Sequence, residues 1–245
     1  MKIRELFEKL KEKLLYIGYT CDNCGAELFD YPAHRFCEAC ERRMPQIKRA
    51  CPKCGRDTVA EGVCLTCKKD MPTFARGVAA FSYKAETAGI VNRMKNGNRR
   101  LAAYLGEKMA EKVYPLLENE EVLLVPVPLT DNRKKERGYN QAELLAEAVK
   151  RYLSDKGVLV TLDTELLVKR RETALQKQKT RKERVENVQG AYHVHKRKAC
   201  EGKTIVLIDD IITTGATGSE CARLLLSAKA KKVLFLVAAA LPEQK

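Results

Sequence analysis

Ten cysteines and one pair of adjacent aspartates are the residues through which this chain could do chemistry. Eight of the cysteines fall as four CxxC pairs early in the chain: Cys21/Cys24, Cys37/Cys40, Cys51/Cys54 and Cys64/Cys67. A CxxC turn delivers two thiolates from one side, and a second pair on a facing turn closes the tetrahedron of a structural Zn²⁺. Four pairs in tandem do not fit a single redox centre. The amino terminus carries charges where a secretory signal needs an apolar core, so a disulfide scaffold is not expected either. Two structural zinc sites are the expectation. Their pairing stays open between sequential ribbons, which the short spacers favour, and an interleaved cross-brace. His34 is an alternative ligand, although eight cysteines suffice without it. Cys221 lies at helical spacing with Leu224, Leu225 and Ala228 and reads as core, while Cys200 reads as inert.

The aspartates sit in Val206-Leu207-Ile208-Asp209-Asp210-Ile211-Ile212-Thr213-Thr214-Gly215-Ala216-Thr217. An apolar strand ends in two carboxylates, and a Thr/Gly turn leads into a helix. Backbone N–H groups and hydroxyls at such a turn make a nest for phosphate. Carboxylates one sugar width away suit ribose hydroxyls and an associated Mg²⁺. A Walker-type reading fails, because Arg197 stands where the first glycine of a Gly202-Lys203-Thr204 loop belongs and that loop precedes its strand. No dinucleotide-binding glycine fingerprint is present, and a plain surface turn does not account for TTGATG after so apolar a strand.

The elements that position these groups follow from periodicity. A segment over 1–17, with Leu6, Phe7, Leu10 and Leu14 near one face, predicts an amphipathic helix. Residues 18–72 form the cysteine-rich module, with Met71-Pro72-Thr73 as a junction, and 73–245 alternate short apolar runs with amphipathic stretches, which predicts an α/β domain. Strands are expected at 78–83, 122–127, 166–168, 204–209 and 233–238, and helices near 86–94, 101–117, 141–154 and 218–228. A basic stretch, Lys169–Arg184, has no apolar periodicity and reads as a mobile loop.

Charge narrows the partners. Lys+Arg number 46 against 32 Asp+Glu, a formal +14. Two zinc sites with four thiolates each, about −2 apiece, would leave roughly +10. Such an excess suits a polyanion: nucleic acid, or phosphates on a smaller scale. A hydrophobic fraction of 45% argues against disorder. The longest apolar run, Val233 to Leu241, is less than half of a membrane span, so a soluble cytoplasmic protein without membrane insertion is expected.

Further marks accompany the aspartate turn. They are Val125-Pro126-Val127-Pro128, then Arg137-Gly138-Tyr139-Asn140-Gln141, and Gln178, Arg184, Asn187-Val188 and Gly190-Ala191-Tyr192. The turn is similar to the PRPP-binding motif of type I phosphoribosyltransferases. The chain as a whole resembles the ComF family of competence proteins, in which a double zinc ribbon precedes a phosphoribosyltransferase domain.

The resemblance implies a parallel, doubly wound sheet with ligands at the carboxyl ends of its strands. It implies that Asp209 and Asp210 hold the ribose 2′- and 3′-hydroxyls. Thr213, Thr214, Gly215, Ala216 and Thr217 hold the 5′-phosphate, and Thr130, Arg133 and Arg137 in the loop after Pro128 face the pyrophosphate. Lys169–Arg184 is then a hood over the substrate. The family is linked to DNA uptake, with a DNA-uptake helicase as a further partner.

Two function classes follow. One is an accessory protein for DNA uptake that binds single-stranded DNA and PRPP with Mg²⁺. The other is a Mg²⁺-dependent phosphoribosyltransferase acting on a base or amine, although no residue pattern identifies an acceptor pocket. For DNA the basic stretch is the expected contact, with Arg170, Arg171, Lys177 and Lys179 as its candidates. Tyr139 reads equally as a stacking aromatic or a packing residue, and Asn140 and Gln141 as caps or ligand contacts. His193 and His195 have no acid partner in view for general-base work.

Overall fold

A computed structural model describes residues 19–29, 34–117, 120–171 and 188–243. The expected helix over 1–17 lies outside them. The chain divides into two compact units, Met1–Arg43 and Met44–Lys245. This division falls inside the stretch 18–72, so the third and fourth CxxC pairs belong to the same compact unit as the α/β sheet.

In the first unit the described residues fold around the first two CxxC turns. They end in the short helix α1 (Glu38–Arg42), with the Arg35 guanidinium 4.2 Å above the Tyr19 ring. The second unit opens with the other two CxxC turns and α2 (Leu65–Lys69). There follow β1 (Arg76–Ser82), α3 (Ala85–Lys95), α4 (Leu101–Val113), β2 (Val122–Pro126), α5 (Asp131–Arg137) and α6 (Gln141–Asp155). The strands β3 (Val160–Leu162), β4 (Leu167–Lys169), β5 (Tyr192–Val194) and β6 (Thr204–Ile212) come next, then α7 (Ala216–Ser227) and β7 (Lys232–Ala240).

Five strands form one parallel sheet in the order β1-β7-β6-β2-β3. Every residue of β2 is buried, and β6 and β7 are almost as continuous, the pattern of parallel strands covered on both faces. Alternation divides the coverings. Leu123, Val125, Ile205, Leu207, Val233, Phe235 and Val237 share one cluster with Cys221, Ala222 and Leu225 of α7 and with the cysteines 51, 54, 64 and 67. The helices α4 and α6 pack on each other and on the central strands through Leu105, Met109, Leu145 and Val149, all fully buried.

The topology fixes where a ligand can sit. From β2 the chain moves outward to β3, whereas from β6 it moves the other way to β7, although β2 and β6 are neighbours. The crevice beyond their carboxyl ends is the switch point at which open α/β sheets bind ligands. A second, two-stranded antiparallel sheet pairs β4 with β5. The expected hood emerges from this ribbon, and its central part, with Lys177 and Lys179, lies outside the described residues. Lys169 itself closes β4 rather than opening a loop.

Candidate functional site

Strand β6 continues through Asp209 and Asp210 to Ile212, three residues further than the apolar run alone predicts. The register explains this: Asp209, Ile211 and Ile212 pair with Val237, Ala239 and Ala240 of β7, so the aspartates are held by a ladder rather than by a turn. Asp210 is buried, and its Oδ2 forms an ion pair with the Lys95 ammonium at the end of α3. Asp209 faces the cleft with part of its surface and is otherwise enclosed by protein. Burial, then the neighbouring Asp210 charge, push its carboxyl well above the usual carboxylate range; Lys95 pulls the other way.

After Ile212 the chain turns through Thr213 and Thr214 to Gly215, whose φ of +85° is a left-handed conformation that an L side chain adopts only under strain. The Thr214 hydroxyl accepts the Ala216 N–H at 3.3 Å, and Gly215 carbonyl accepts the Ser219 N–H at 2.8 Å. This turn delivers the amino terminus of the twelve-residue helix α7 to the crevice.

The resulting cleft has a volume of about 260 Å³. Val127 to Leu129 form one wall and Asp209 to Gly218 the other, with Lys95, Arg133, Arg137, Lys169 and Tyr192 around the rim. Four cations and two acids therefore meet there. A second cleft of about 580 Å³ adjoins it and shares Lys95, Arg133 and Arg137.

The structure thus brings together Asp209, Asp210, Thr213 to Thr217, Arg133 and Arg137. Thr130 is placed differently: it is buried at the amino-terminal cap of α5 and does not line the cleft. The stretch after Pro128 is a seven-residue helix rather than a loop, run out on Arg133 to Arg137. Sequence reasoning missed Lys95 and Tyr192 as cleft residues. A lysine before Asn-Gly carries no local signal for an acid more than a hundred positions on. Tyr192 is brought in only by the β4–β5 pairing; burial pushes its phenol above the ordinary value, and the Lys169 ammonium lies 5.3 Å from its ring centre.

Within the Arg137-Gly138-Tyr139-Asn140-Gln141 run, Arg137 and Gln141 line the cleft, whereas Tyr139 and Asn140 support the elements around it. The Tyr139 hydroxyl donates to the Met94 carbonyl and accepts the Gly97 N–H at 2.9 Å, which anchors the end of α3. The Arg99 guanidinium covers its ring at 4.4 Å. Asn140 caps α6, accepting from Ala142 N–H at 3.0 Å and donating to Val127 carbonyl at 3.1 Å. Gln141 accepts from Arg137 at 2.6 Å and so orients that guanidinium in the cleft.

The cysteines gather as two groups, Cys21/Cys24/Cys37/Cys40 and Cys51/Cys54/Cys64/Cys67, which is the sequential pairing. Sulfur–sulfur distances of 3.9 Å (Cys21–Cys40), 3.7 Å (Cys24–Cys37) and 3.7 Å (Cys54–Cys64) match the edge of about 3.8 Å for a tetrahedron with Zn–S bonds of ~2.3 Å. Both groups can hold such an ion. Backbone N–H groups of Cys37, Cys64 and Cys67 point at the sulfurs of Cys21, Cys51 and Cys64, as thiolates require. Cys200 and Cys221 are fully buried, in keeping with a core position for Cys221 and an inert Cys200.

A parallel sheet with its cleft at the switch point, and a phosphate-type turn after paired acids, define a phosphoribosyltransferase-type domain. Residues 99–245 match the phosphoribosyl transferase domain family. The chain is 30% identical to the competence protein ComFC of Bacillus subtilis over 206 residues, covering 80% of this chain and 79% of that one. It is 28% identical to the DNA utilization protein YhgH of Escherichia coli, covering 78% and 83% respectively. Against competence protein F of Haemophilus influenzae the identity is 28%, covering 86% of this chain and 92% of that one. The chain belongs to the ComF family of competence proteins, with a phosphoribosyltransferase domain. Among the described residues no helix is long and apolar enough to cross a membrane.

Proposed function

We propose that this protein is a cytoplasmic accessory factor of DNA uptake that binds PRPP with Mg²⁺ in the β2–β6 cleft and single-stranded DNA through its basic surface. The observation that carries the ligand reading is the division of charge in the cleft. Two acids stand at the end of β6, one of them with its charge disfavoured by burial, and Arg133, Arg137 and Lys169 line the same cleft. A ligand with vicinal hydroxyls on one side and pyrophosphate on the other satisfies both halves. Asp209 and Asp210 take the ribose hydroxyls, and residues Thr213 to Thr217 take the 5′-phosphate at the α7 amino terminus. Arg133 and Arg137 meet the pyrophosphate. A divalent cation fits the same donor set, since oxygen ligands with an incompletely balanced negative charge are what Mg²⁺ takes. Bound there, Mg²⁺ would supply charge neutralisation for the pyrophosphate.

The two four-cysteine groups are read as zinc sites of structural type, because all four positions of each tetrahedron are filled by sulfur. The DNA reading rests on the relatives' names and on the charge of 169–198, which carries eleven Lys/Arg against three Glu. Arg170 and Arg171, exposed after β4, and Lys196, Arg197 and Lys198, exposed after β5, are described parts of that surface.

Calorimetry tests the ligand assignment. Wild-type protein binds PRPP in the presence of Mg²⁺ and loses most of that affinity with EDTA. The Asp209→Asn, Asp210→Asn double variant binds at least tenfold more weakly, and equal affinity of the two proteins would overturn the assignment. For DNA, Ala at Arg170, Arg171, Lys177 and Lys179 lowers the slope of log K against log salt by up to about 0.7 for each phosphate no longer neutralised. An unchanged slope and affinity would move the DNA site elsewhere.

A further inference from the structure

Arg56 is a buried cation in the third CxxC knuckle, only 5% exposed, and its contacts lead from the cysteine cluster to the cleft. Its Nε donates to the Cys54 sulfur at 3.4 Å and its Nη1 to the Thr66 hydroxyl at 3.4 Å. Its Nη2 donates to the carbonyl of Thr213 at 2.5 Å. Thr213 is the first residue of the turn that cradles the candidate phosphate site. The planar fork of one guanidinium therefore spans the second four-cysteine group and the ligand loop.

The knuckle has little freedom to shift. A Cβ on Gly55 would come within 2.6 Å of the Gly77 carbonyl, and a Cβ on Gly77 within 2.7 Å of the Cys54 carbonyl. Gly77 N–H donates to Lys53 carbonyl at 2.7 Å, so the knuckle is joined to β1 by backbone contact. From the other side the Glu243 carboxylate accepts the N–H groups of Leu65 at 2.6 Å and Val59 at 3.2 Å.

A buried guanidinium needs a compensating anion. A metal-loaded four-cysteine group supplies one, since four thiolates around a divalent ion carry about −2. Without the metal nothing holds the four sulfurs on one tetrahedron, so the Cys54 sulfur that anchors one arm of the Arg56 fork is no longer fixed relative to the Thr213 carbonyl on the other. We propose that Arg56 is a positioning residue that couples metal occupancy of the Cys51/Cys54/Cys64/Cys67 site to the conformation of the 213–217 loop. In its consequence for PRPP the inference rests on the zinc and PRPP readings above. Its effect on the loop does not depend on PRPP.

The test uses the full chain with Arg56→Gln and Arg56→Lys. Zinc content and thermal melting first establish that each variant is loaded and folded. Hydrogen–deuterium exchange in the peptide covering 209–218, without ligand, is expected to rise in Arg56→Gln. PRPP affinity falls about tenfold, within the ordinary range of coupling between sites. Arg56→Lys, which keeps the charge but lacks the fork, recovers part of both.

Coupling is reciprocal, so saturating PRPP slows chelator extraction of one of the two zinc ions from the wild type by about fivefold or more. This measurement needs no variant and stands even if the substitutions unfold the knuckle. Unchanged exchange and unchanged PRPP affinity in loaded Arg56→Gln would overturn the inference. So would PRPP binding to the wild type with no protection of either zinc ion. If the wild type does not bind PRPP at all, the ligand reading fails while the exchange comparison still decides the role of Arg56.

Discussion

Asp209→Asn should have two effects of opposite sign. In the ligand-free protein Asp209 ionises against burial and against the Asp210 charge, and Lys95 offsets this only in part. Its pKa is therefore raised on folding. Below the ordinary carboxylate value of ~3.9 both the folded and the unfolded forms are protonated, and the group contributes nothing. As pH rises through that value the unfolded chain ionises first and the folded protein keeps its proton, so stability falls. The fall continues until Asp209 ionises in the folded state, and above that pH the cost is constant.

Asparagine removes the charge at nearly constant shape. The melting temperature of ligand-free Asp209→Asn should thus exceed that of the wild type, by a margin that is smallest in acid and widest at neutral pH and above. The PRPP complex responds the other way. Each charge-assisted hydrogen bond removed from the ligand weakens binding by about 1.5–3 kcal/mol, or roughly 10–150-fold. Differential scanning fluorimetry at pH 4 and pH 8, ligand-free without Mg²⁺ and then with PRPP plus Mg²⁺, checks both. A variant that melts below the wild type at pH 8 without ligand would refute the electrostatic account of this site.

Other expectations follow from the same contacts. Lys95→Met leaves Asp210 buried without its cation and should destabilise the protein by about 3 kcal/mol; millimolar Mg²⁺ should restore part of the melting temperature and do little for the wild type. Tyr139→Phe removes the hydroxyl that joins Met94 to Gly97 and should cost about 1–3 kcal/mol in chemical denaturation, with zinc content unchanged. Metal analysis of protein purified without chelator should give two zinc ions per chain; fewer than one would contradict the geometry of the paired four-cysteine groups. Gly218→Ala places a Cβ 2.5 Å from the Phe235 ring and should cost about 1–3 kcal/mol of thermal stability through overpacking behind the phosphate turn.

What could be read from the sequence was whatever is local. The CxxC spacing gives the thiolates without their surroundings, and the runs at 122–127, 204–209 and 233–238 give the buried strands because parallel strands are apolar on both faces. The short strands β3 and β5 carry no such run. Val160–Leu162 is three residues of half-exposed edge, and Tyr192–Val194 exists as a strand only through its partner β4. The helix α5 was hidden for a related reason: DNRKKER has no apolar stripe, and it is held by its surroundings and by Gly138 at its end. The same limit applies to the site. The acids and the Thr/Gly turn are contiguous and legible, whereas Lys95, Tyr192 and Arg56 reach the cleft or its loop across 115, 17 and 157 positions from Asp210, Asp209 and Thr213. Such contacts are made by topology, which a linear pattern does not encode.

The charge arrangement also bears on whether the cleft holds its ligand or reacts it. Among the described residues that line it, the titratable groups are Lys95, Arg133, Arg137, Lys169, Tyr192, Asp209 and Asp210. Tyr192 has its phenol pushed up by burial, so at neutral pH it is a hydrogen-bond donor and not a base. Asp210 is occupied by Lys95. Asp209 has its carboxyl pushed up by burial and by the Asp210 charge, which is the direction a general base needs. Yet it is also the group that must be ionised to hold ribose hydroxyls or a divalent cation, and a bound cation lowers that same proton affinity. One carboxylate cannot serve both tasks at once. A transferase using this cleft would need its acceptor to arrive already nucleophilic, or to be activated from outside the described residues.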